Sequence, residues 1–276
     1  MTRNISASTR VSRGTAAALC LIVLATAVPI LLRSGHAANA AIDRCATPVE
    51  ITTLDQPLPR VAERLRAGGT LTIVALGSSS TAGVGASRPE NSYPSRLAVL
   101  LEARFPALKI RVVNRGVGGE EAADMERRIN RDVLPEHPDL VIWQVGTNGV
   151  LRDQDPINVV ESVRQGVARI KTSGSDLLLM NPQYAPALLQ HEDYHEMLSL
   201  LDAAAHAEDV PMFRRFAMMR QWTDDGRMPL ALMLSRDRLH MTDLSYDCLA
   251  RAVSNTIAGA AGAESPIAEA EPVPSS

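Results

Sequence analysis

The sequence predicts an α/β protein, a three-layer α/β/α sandwich around a parallel sheet. Three observations point there. Short runs rich in Val, Ile and Leu recur through the middle of the chain, longer amphipathic stretches separate them, and four such strand–helix pairs follow one another. Strands that are apolar throughout are those covered by helices on both faces, whereas a one-sided sheet alternates. With 276 residues, 46% apolar and 21% charged, the chain has ordinary globular composition and enough material for a sizeable core.

The first forty residues read as an address rather than as part of this fold. Residues 1–13 are basic and rich in Ser and Thr, residues 14–32 are apolar with one proline, Pro29, and the segment ends in Ala38-Asn39-Ala40. That is the order of a signal peptide, although a run of this length also suits an uncleaved membrane anchor. Either way the expectation is export, to the periplasm or outside the cell. Neither Cys20 nor Cys45 follows a small residue, because Leu19 and Arg44 precede them, so lipid attachment is disfavoured.

Beyond the leader, 24 basic residues face 31 acidic ones, a net charge near −7. An acidic body without Lys/Arg runs has no footprint for a phosphate backbone, which argues against nucleic-acid binding. Nine aromatic residues are too few for base stacking or broad sugar platforms. Membrane contact would come only through an uncleaved leader.

Strands are expected at 71–76, 109–114, 140–145 and 176–181, and helices at 93–104, 120–133, 158–171, 188–205 and 246–257. Residues 41–258 make one domain, a size that suits a single core. Residues 259–276 turn to Ala, Gly, Glu, Pro and Ser without apolar period and read as a disordered tail. Once the leader is removed, Cys45 and Cys248 are the remaining cysteines. In an oxidising compartment they suggest one disulfide, the alternative being two buried thiols.

In parallel sheets, sites form beyond the carboxyl ends of the strands. The first strand runs into Gly77-Ser78-Ser79-Ser80-Thr81-Ala82-Gly83, where a serine at a strand-to-helix turn projects its oxygen and frees its own N–H. The same composition also makes ordinary turns and N-caps. It lacks the G-x-S-x-G spacing of the α/β-hydrolase elbow. The second strand ends in Asn114-Arg115-Gly116-Val117-Gly118-Gly119, which is not a dinucleotide fingerprint, and the third in Gln144-Val145-Gly146-Thr147-Asn148-Gly149. Their glycines and the Asn148 amide offer donors for an oxyanion, or simple βα turns. Past all the strands stands Asp237-Arg238-Leu239-His240, the spacing by which a carboxylate can hold one imidazole nitrogen and leave the other facing a serine. Tyr93, Trp143, Gln183 and Tyr184 lie near strand ends and are candidate substrate contacts.

These segments, taken in order, resemble the four blocks of the SGNH hydrolase (GDSL esterase/lipase) superfamily, across about residues 69–258. Gly77 to Gly83 matches G-D-S-x-x-x-G, Asn114 to Gly119 the block that supplies a glycine N–H, Gly146-Thr147-Asn148 the start of G-x-N-D, and Asp237 with His240 the D-x-x-H block. The resemblance implies a flavodoxin-like sheet and a serine esterase needing no cofactor or metal. Its nucleophile would be Ser79, its base His240, its orienting acid Asp237, and its oxyanion donors Ser79, Gly119 and Asn148. Two family aspartates are absent, replaced by Ser78 and Gly149. The implied substrate is a short acyl ester, acetyl above all, of a carbohydrate, with lipid or thioester hydrolysis as the runner-up.

Two readings of other classes compete. His191-Glu192-Asp193-Tyr194-His195 matches H-E-x-x-H on an expected helix, the pattern of a zinc metallopeptidase. No third ligand follows at a matching spacing. Loss of the two aspartates would suit a carbohydrate-binding protein that has kept the fold without catalysis, but such a protein has no use for a full triad.

Overall fold

A computed structural model describes residues 43–262. Five parallel strands form one sheet in the order β2-β1-β3-β4-β5. The chain enters through helix α1 (Val49–Thr52) and helix α2 (Pro59–Ala67), the latter opened by a proline at its first position. Strand β1 (Gly69–Gly77) follows, then the single turn α3 (Ser79–Ala82), helix α4 (Tyr93–Arg104) and strand β2 (Leu108–Gly116). Helix α5 (Ala122–Asp132) leads to β3 (Leu140–Gln144), and the short α6 (Thr147–Leu151) and long α7 (Pro156–Lys171) lead to β4 (Asp176–Met180). After α8 (Pro186–Leu189) and α9 (Tyr194–Ala207) comes β5 (Met212–Phe213). Helices α10 (Arg215–Asp224), α11 (Leu230–Met233) and α12 (Asp243–Ala260) complete the chain.

The β-branched and leucine-rich β1 is buried from Leu71 to Gly77, and β3 is buried along its whole length, because both lie inside the sheet with helices over each face. Strand β2, at the edge, is exposed or half-buried except at Ile110. Right-handed crossovers then dictate the layers: the step from β1 out to β2 puts α4 on one face, and the return past β1 to β3 puts α5 on the other. Helix α4 packs against α12, and α7 packs between α5 and α9. This is the flavodoxin-like order, in which the chain reverses direction between β1 and β3 and opens a crevice at their carboxyl ends.

All four expected strands are present, each within three residues of its expected ends. Strand β5 was not expected, since Pro211 leaves only two residues of apolar run before Arg214. The expected helix over 188–205 is two helices: Gln190 to Asp193 form a turn, with Asp193 at the N-cap position of α9. Polar residues of this kind compete for backbone hydrogen bonds and favour helix ends over interiors. Helices α2 and α10 also went unread. Helix α12 continues to Ala260, so Gly259 and Ala260 belong to it rather than to a tail. The leader and residues 263–276 lie outside the described residues. Among those described, no helix is long and apolar enough to cross a membrane.

Candidate active site

Ser79 sits where β1 gives way to α3, and its Oγ lies 2.7 Å from His240 Nε2. His240 Nδ1 lies 2.6 Å from Asp237 Oδ2. An ionised carboxylate only accepts, so Nδ1 carries the proton and Nε2 is left to accept from the serine hydroxyl. Burial alone would raise the Asp237 carboxyl. The imidazole, the backbone N–H groups of His240 and Leu239 and the Ser235 hydroxyl, which donates at 2.7 Å, outweigh it and hold the group well below the usual carboxylate range.

The loop carrying His240 closes tightly on the loop after α3. Gly85 has a left-handed φ of 94°, and a β-carbon there would stand 2.4 Å from the Met241 carbonyl oxygen and 2.9 Å from His240 Cβ. The Asp243 carboxylate accepts from the Ser87 N–H at 2.7 Å and from Asn91 Nδ2 at 2.8 Å, and the Tyr246 hydroxyl donates to the Val84 carbonyl at 2.7 Å. Two segments some 150 residues apart are thereby locked together.

On the other side of Ser79 lies the turn after β2. Gly116 packs so closely under α3 that a β-carbon would come within 2.1 Å of the Ala82 nitrogen, and Asn114 Nδ2 donates to the Thr81 carbonyl at 2.8 Å. Gly118 faces the Ser79 side chain, and Gly119 takes a left-handed φ of 80°. Among the described residues, the N–H groups of Ser79 and Gly119 donate to no backbone carbonyl. Asn148, at the start of α6, donates one amide hydrogen to the Glu120 carbonyl at 2.7 Å and has a second to offer. Ser79 is half-buried, with Val84, Val117, Gly118 and Gly119 exposed around it, so the site is open and shallow.

Ser78, standing where the family has an aspartate, donates from its N–H and its hydroxyl to Gln144 Oε1, both at 3.0 Å. Gly149 packs against Val159 and leaves no room for a side chain, since a β-carbon would approach Val159 Cγ2 to 2.9 Å.

Three of the four expected substrate contacts are corrected. Tyr93, Trp143 and Gln183 are fully buried. Burial pushes the Tyr93 hydroxyl up to about 12. The Trp143 ring lies over Gly166 and donates to Met125 Sδ, and Gln183 belongs to an internal hydrogen-bond network. Tyr184 is partly exposed and packs edge-on against Phe216 at 5.5 Å. The H-E-x-x-H reading also loses its geometry: His191 and Glu192 precede α9 instead of lying on it, His191 Nδ1 pairs with Asp153 at 2.8 Å, and His195 packs edge-on against Phe216. Among the described residues, no group of three or more His, Cys, Asp or Glu side chains is arranged to hold a metal ion.

Sequence reasoning missed Gly85, Gln144, Glu120 and Arg215. Only Gly85 left a signal, as the second glycine of Gly83-Val84-Gly85. The other three act through contacts between segments distant in sequence.

Comparison with known proteins adds four findings. The model of the family described as non-GDSL lipase-like matches residues 44–263. Over 102 residues the chain is 32% identical to an acetylxylan esterase from Geobacillus stearothermophilus; the stretch covers 33% of this chain and 47% of that enzyme, so the chain matches about half the length of this curated relative. The crystal structure of an acetylxylan esterase from the same organism aligns with a TM-score of 0.57 at 25% identity, covering 69% of this chain and 95% of that one. A two-domain esterase active on acetylated mannans shares the fold, with a TM-score of 0.66 at 21% identity over 83% of this chain and 61% of its own.

Proposed function

The chain belongs to the non-GDSL lipase-like family and to the SGNH hydrolase superfamily, and on that footing we propose that it is an exported serine esterase removing acetyl or other short acyl groups from a glycan. One observation carries the reading: the unbroken hydrogen-bond chain from Ser79 through His240 to Asp237, at 2.7 and 2.6 Å, opening on a shallow surface. Nucleophile and base within hydrogen-bond reach, with the base oriented by a third group, is the arrangement that activates a hydroxyl.

His240 Nε2 takes the Ser79 proton as Oγ attacks the ester carbonyl. The developing oxyanion is met by the Ser79 and Gly119 N–H groups and by the free hydrogen of the Asn148 amide. His240 returns the proton to the departing sugar hydroxyl, leaving Ser79 acylated, and water repeats the sequence to release the acid. Asp237 stays ionised throughout and stabilises the imidazolium.

The short-acyl preference is supported by the open site, whose exposed apolar neighbours Val84 and Val117 offer enough surface for a methyl group and little for a long chain. The acetylated-glycan substrates named for the two comparison esterases agree with it. Export is supported by the leader and by the disulfide between Cys45 and Cys248, a bond of oxidising compartments. A chain-length series of p-nitrophenyl esters tests the reading. Acetate and butyrate should be cleaved with kcat/KM at least about tenfold above octanoate, roughly 1.4 kcal/mol in transition-state binding. A fluorophosphonate probe should label Ser79. Preference for decanoate or palmitate would discard the short-acyl assignment, and labelling of Ser78 or Ser80 would discard the nucleophile.

A further inference from the structure

Arg215, the first residue of α10, is fully buried. Among the described residues no carboxylate pairs with it; the ionisable groups that influence its charge are Tyr93, Tyr194 and Tyr246. The other deeply buried arginine of this region, Arg128, is instead held by Glu120 and Asp132. A guanidinium taken from water without a counter-charge is expensive. Burial pulls its pKa down to about 10, which leaves it charged at neutral pH.

The contacts of Arg215 lead to the site. Its Nε donates to the Asn181 carbonyl at 3.1 Å and one terminal nitrogen donates to Gln183 Oε1 at 2.7 Å. The Thr147 hydroxyl donates to the same Oε1 at 3.0 Å and accepts from Gln144 Nε2 at 3.3 Å. Gln144 Oε1 accepts from Ser78, and Gln183 Nε2 reaches the Leu239 carbonyl at 3.4 Å. The network also takes in the Thr81 hydroxyl, 3.4 Å from Gln144 Oε1, and among its members Ser78, Thr147 and Leu239 each immediately precede a residue of the proposed machinery: Ser79, Asn148 and His240.

Donor logic fixes the direction from the ends of the network, where the Arg215 guanidinium and the Ser78 N–H only donate and the Leu239 carbonyl only accepts. A guanidinium can only donate. Gln183 must then turn its oxygen to Arg215, which aims its amide nitrogen at Leu239. With that oxygen as acceptor, the Thr147 hydroxyl donates to it and accepts from Gln144, so the Gln144 oxygen faces the two donors of Ser78. Without the guanidinium, the Gln183 oxygen loses its one partner that can only donate, the Thr147 hydroxyl can rotate away, and the link from Gln183 to Leu239 is no longer enforced. We propose that Arg215 is a positioning residue for ester hydrolysis, the donor-only terminus that orients this network and so holds the residues bearing Ser79, Asn148 and His240 in place.

This rests on the esterase reading, and the test separates the two. Arg215→Met, Gln183→Met and the double variant are compared with wild type in kcat and KM for p-nitrophenyl acetate, in the rate of fluorophosphonate labelling and in thermal unfolding, with Ser79→Ala as control. In each single variant kcat and the labelling rate should fall at least about tenfold with KM within twofold, and the double variant should lose no more than the worse single one, because the network acts as a unit. A folded Arg215→Met with wild-type kcat, or losses that multiply in the double variant, would overturn the proposal. If Arg215→Met does not fold, Gln183→Glu decides. It keeps acceptors for Arg215 and Thr147 but cannot donate to Leu239, so a folded variant with kcat lowered at least about fivefold supports the network and unchanged kcat overturns it. Activity that persists in Ser79→Ala would instead remove the esterase reading itself.

Discussion

Asp237 is nearly half exposed at its side chain, yet its carboxyl is held far toward the ionised form. The two oxygens divide the labour. Oδ1 accepts from Ser235, Leu239 and His240 N–H, which fixes the plane of the carboxylate, and Oδ2 is left for the imidazole. An asparagine there can keep the backbone bonds through its oxygen but would offer an amide hydrogen to Nδ1. The imidazole would then carry its proton on Nε2, where it cannot accept from Ser79. Asp237→Asn should therefore lower kcat by about a hundred- to ten-thousand-fold with little change in KM, measured on p-nitrophenyl acetate. Activity within threefold of wild type would mean that Ser79 and His240 suffice. Asn148 differs in kind, since it is one donor of several. Asn148→Ala should cost about 2.7–4 kcal/mol in kcat/KM and leave measurable turnover, and a loss as complete as that of Ser79→Ala would show that the Glu120 loop had collapsed with it.

At the scale of elements, the site is a meeting of four loop segments at the carboxyl ends of β1, β2 and β3, and close backbone approach is what brings them together. Gly85 is the tightest point on the His240 side. Gly85→Ala would strain a left-handed residue by about 1–2 kcal/mol and drive a methyl group into the Met241 carbonyl. The expected result is a Tm lowered by at least about 2–4 °C, together with a fall in kcat larger than that seen at an equally destabilising site remote from the loop, because His240 is pushed away from Ser79. Wild-type kcat at a lowered Tm would contradict this account. The central strands were legible because burial on both faces makes them apolar throughout, and the hydrogen-bonded cluster of Ser79, His240 and Asp237 because short spacings survive in sequence: Asp237 and His240 are three apart, Ser79 two past Gly77. What was illegible depends on contacts between distant segments. Two-residue β5 carries no period of its own, the turn at Gln190–Asp193 that breaks the expected helix holds no glycine or proline to mark it, and Gln183 looked like a ligand contact because nothing in sequence shows that Thr147 and Arg215 enclose it.

For the whole molecule, the doubly wound sheet leaves both ends of the described chain on the α4 and α12 side, where the segment preceding α2 lies against the last helix. Leu58 N–H donates to the Ala260 carbonyl at 3.2 Å, and Trp222 Nε1 donates to the Ala46 carbonyl at 3.1 Å. The disulfide between Cys45 and the fully buried Cys248 fastens the same junction across a separation of 203 residues. Few hydrogen bonds hold the segment before Pro59, so the cross-link acts mainly by limiting the unfolded chain. Closing a loop of that length is worth up to ~5 kcal/mol in the chain-entropy account, with smaller gains common when the denatured state keeps structure. For a domain of this size that corresponds to a Tm difference of up to about 10–20 °C. Cys45→Ser/Cys248→Ala should consequently unfold at a clearly lower temperature than wild type, and reductant should lower the wild-type Tm toward that of the variant while leaving the variant unchanged. Because Cys248 sits in the body of α12, well past the loop that carries His240, kcat/KM at 25 °C should stay within about twofold. Equal melting temperatures with and without reductant, or two thiols titrated in the unreduced denatured protein, would refute the cross-link; a preserved Tm with lost activity would place its role at the His240 loop instead.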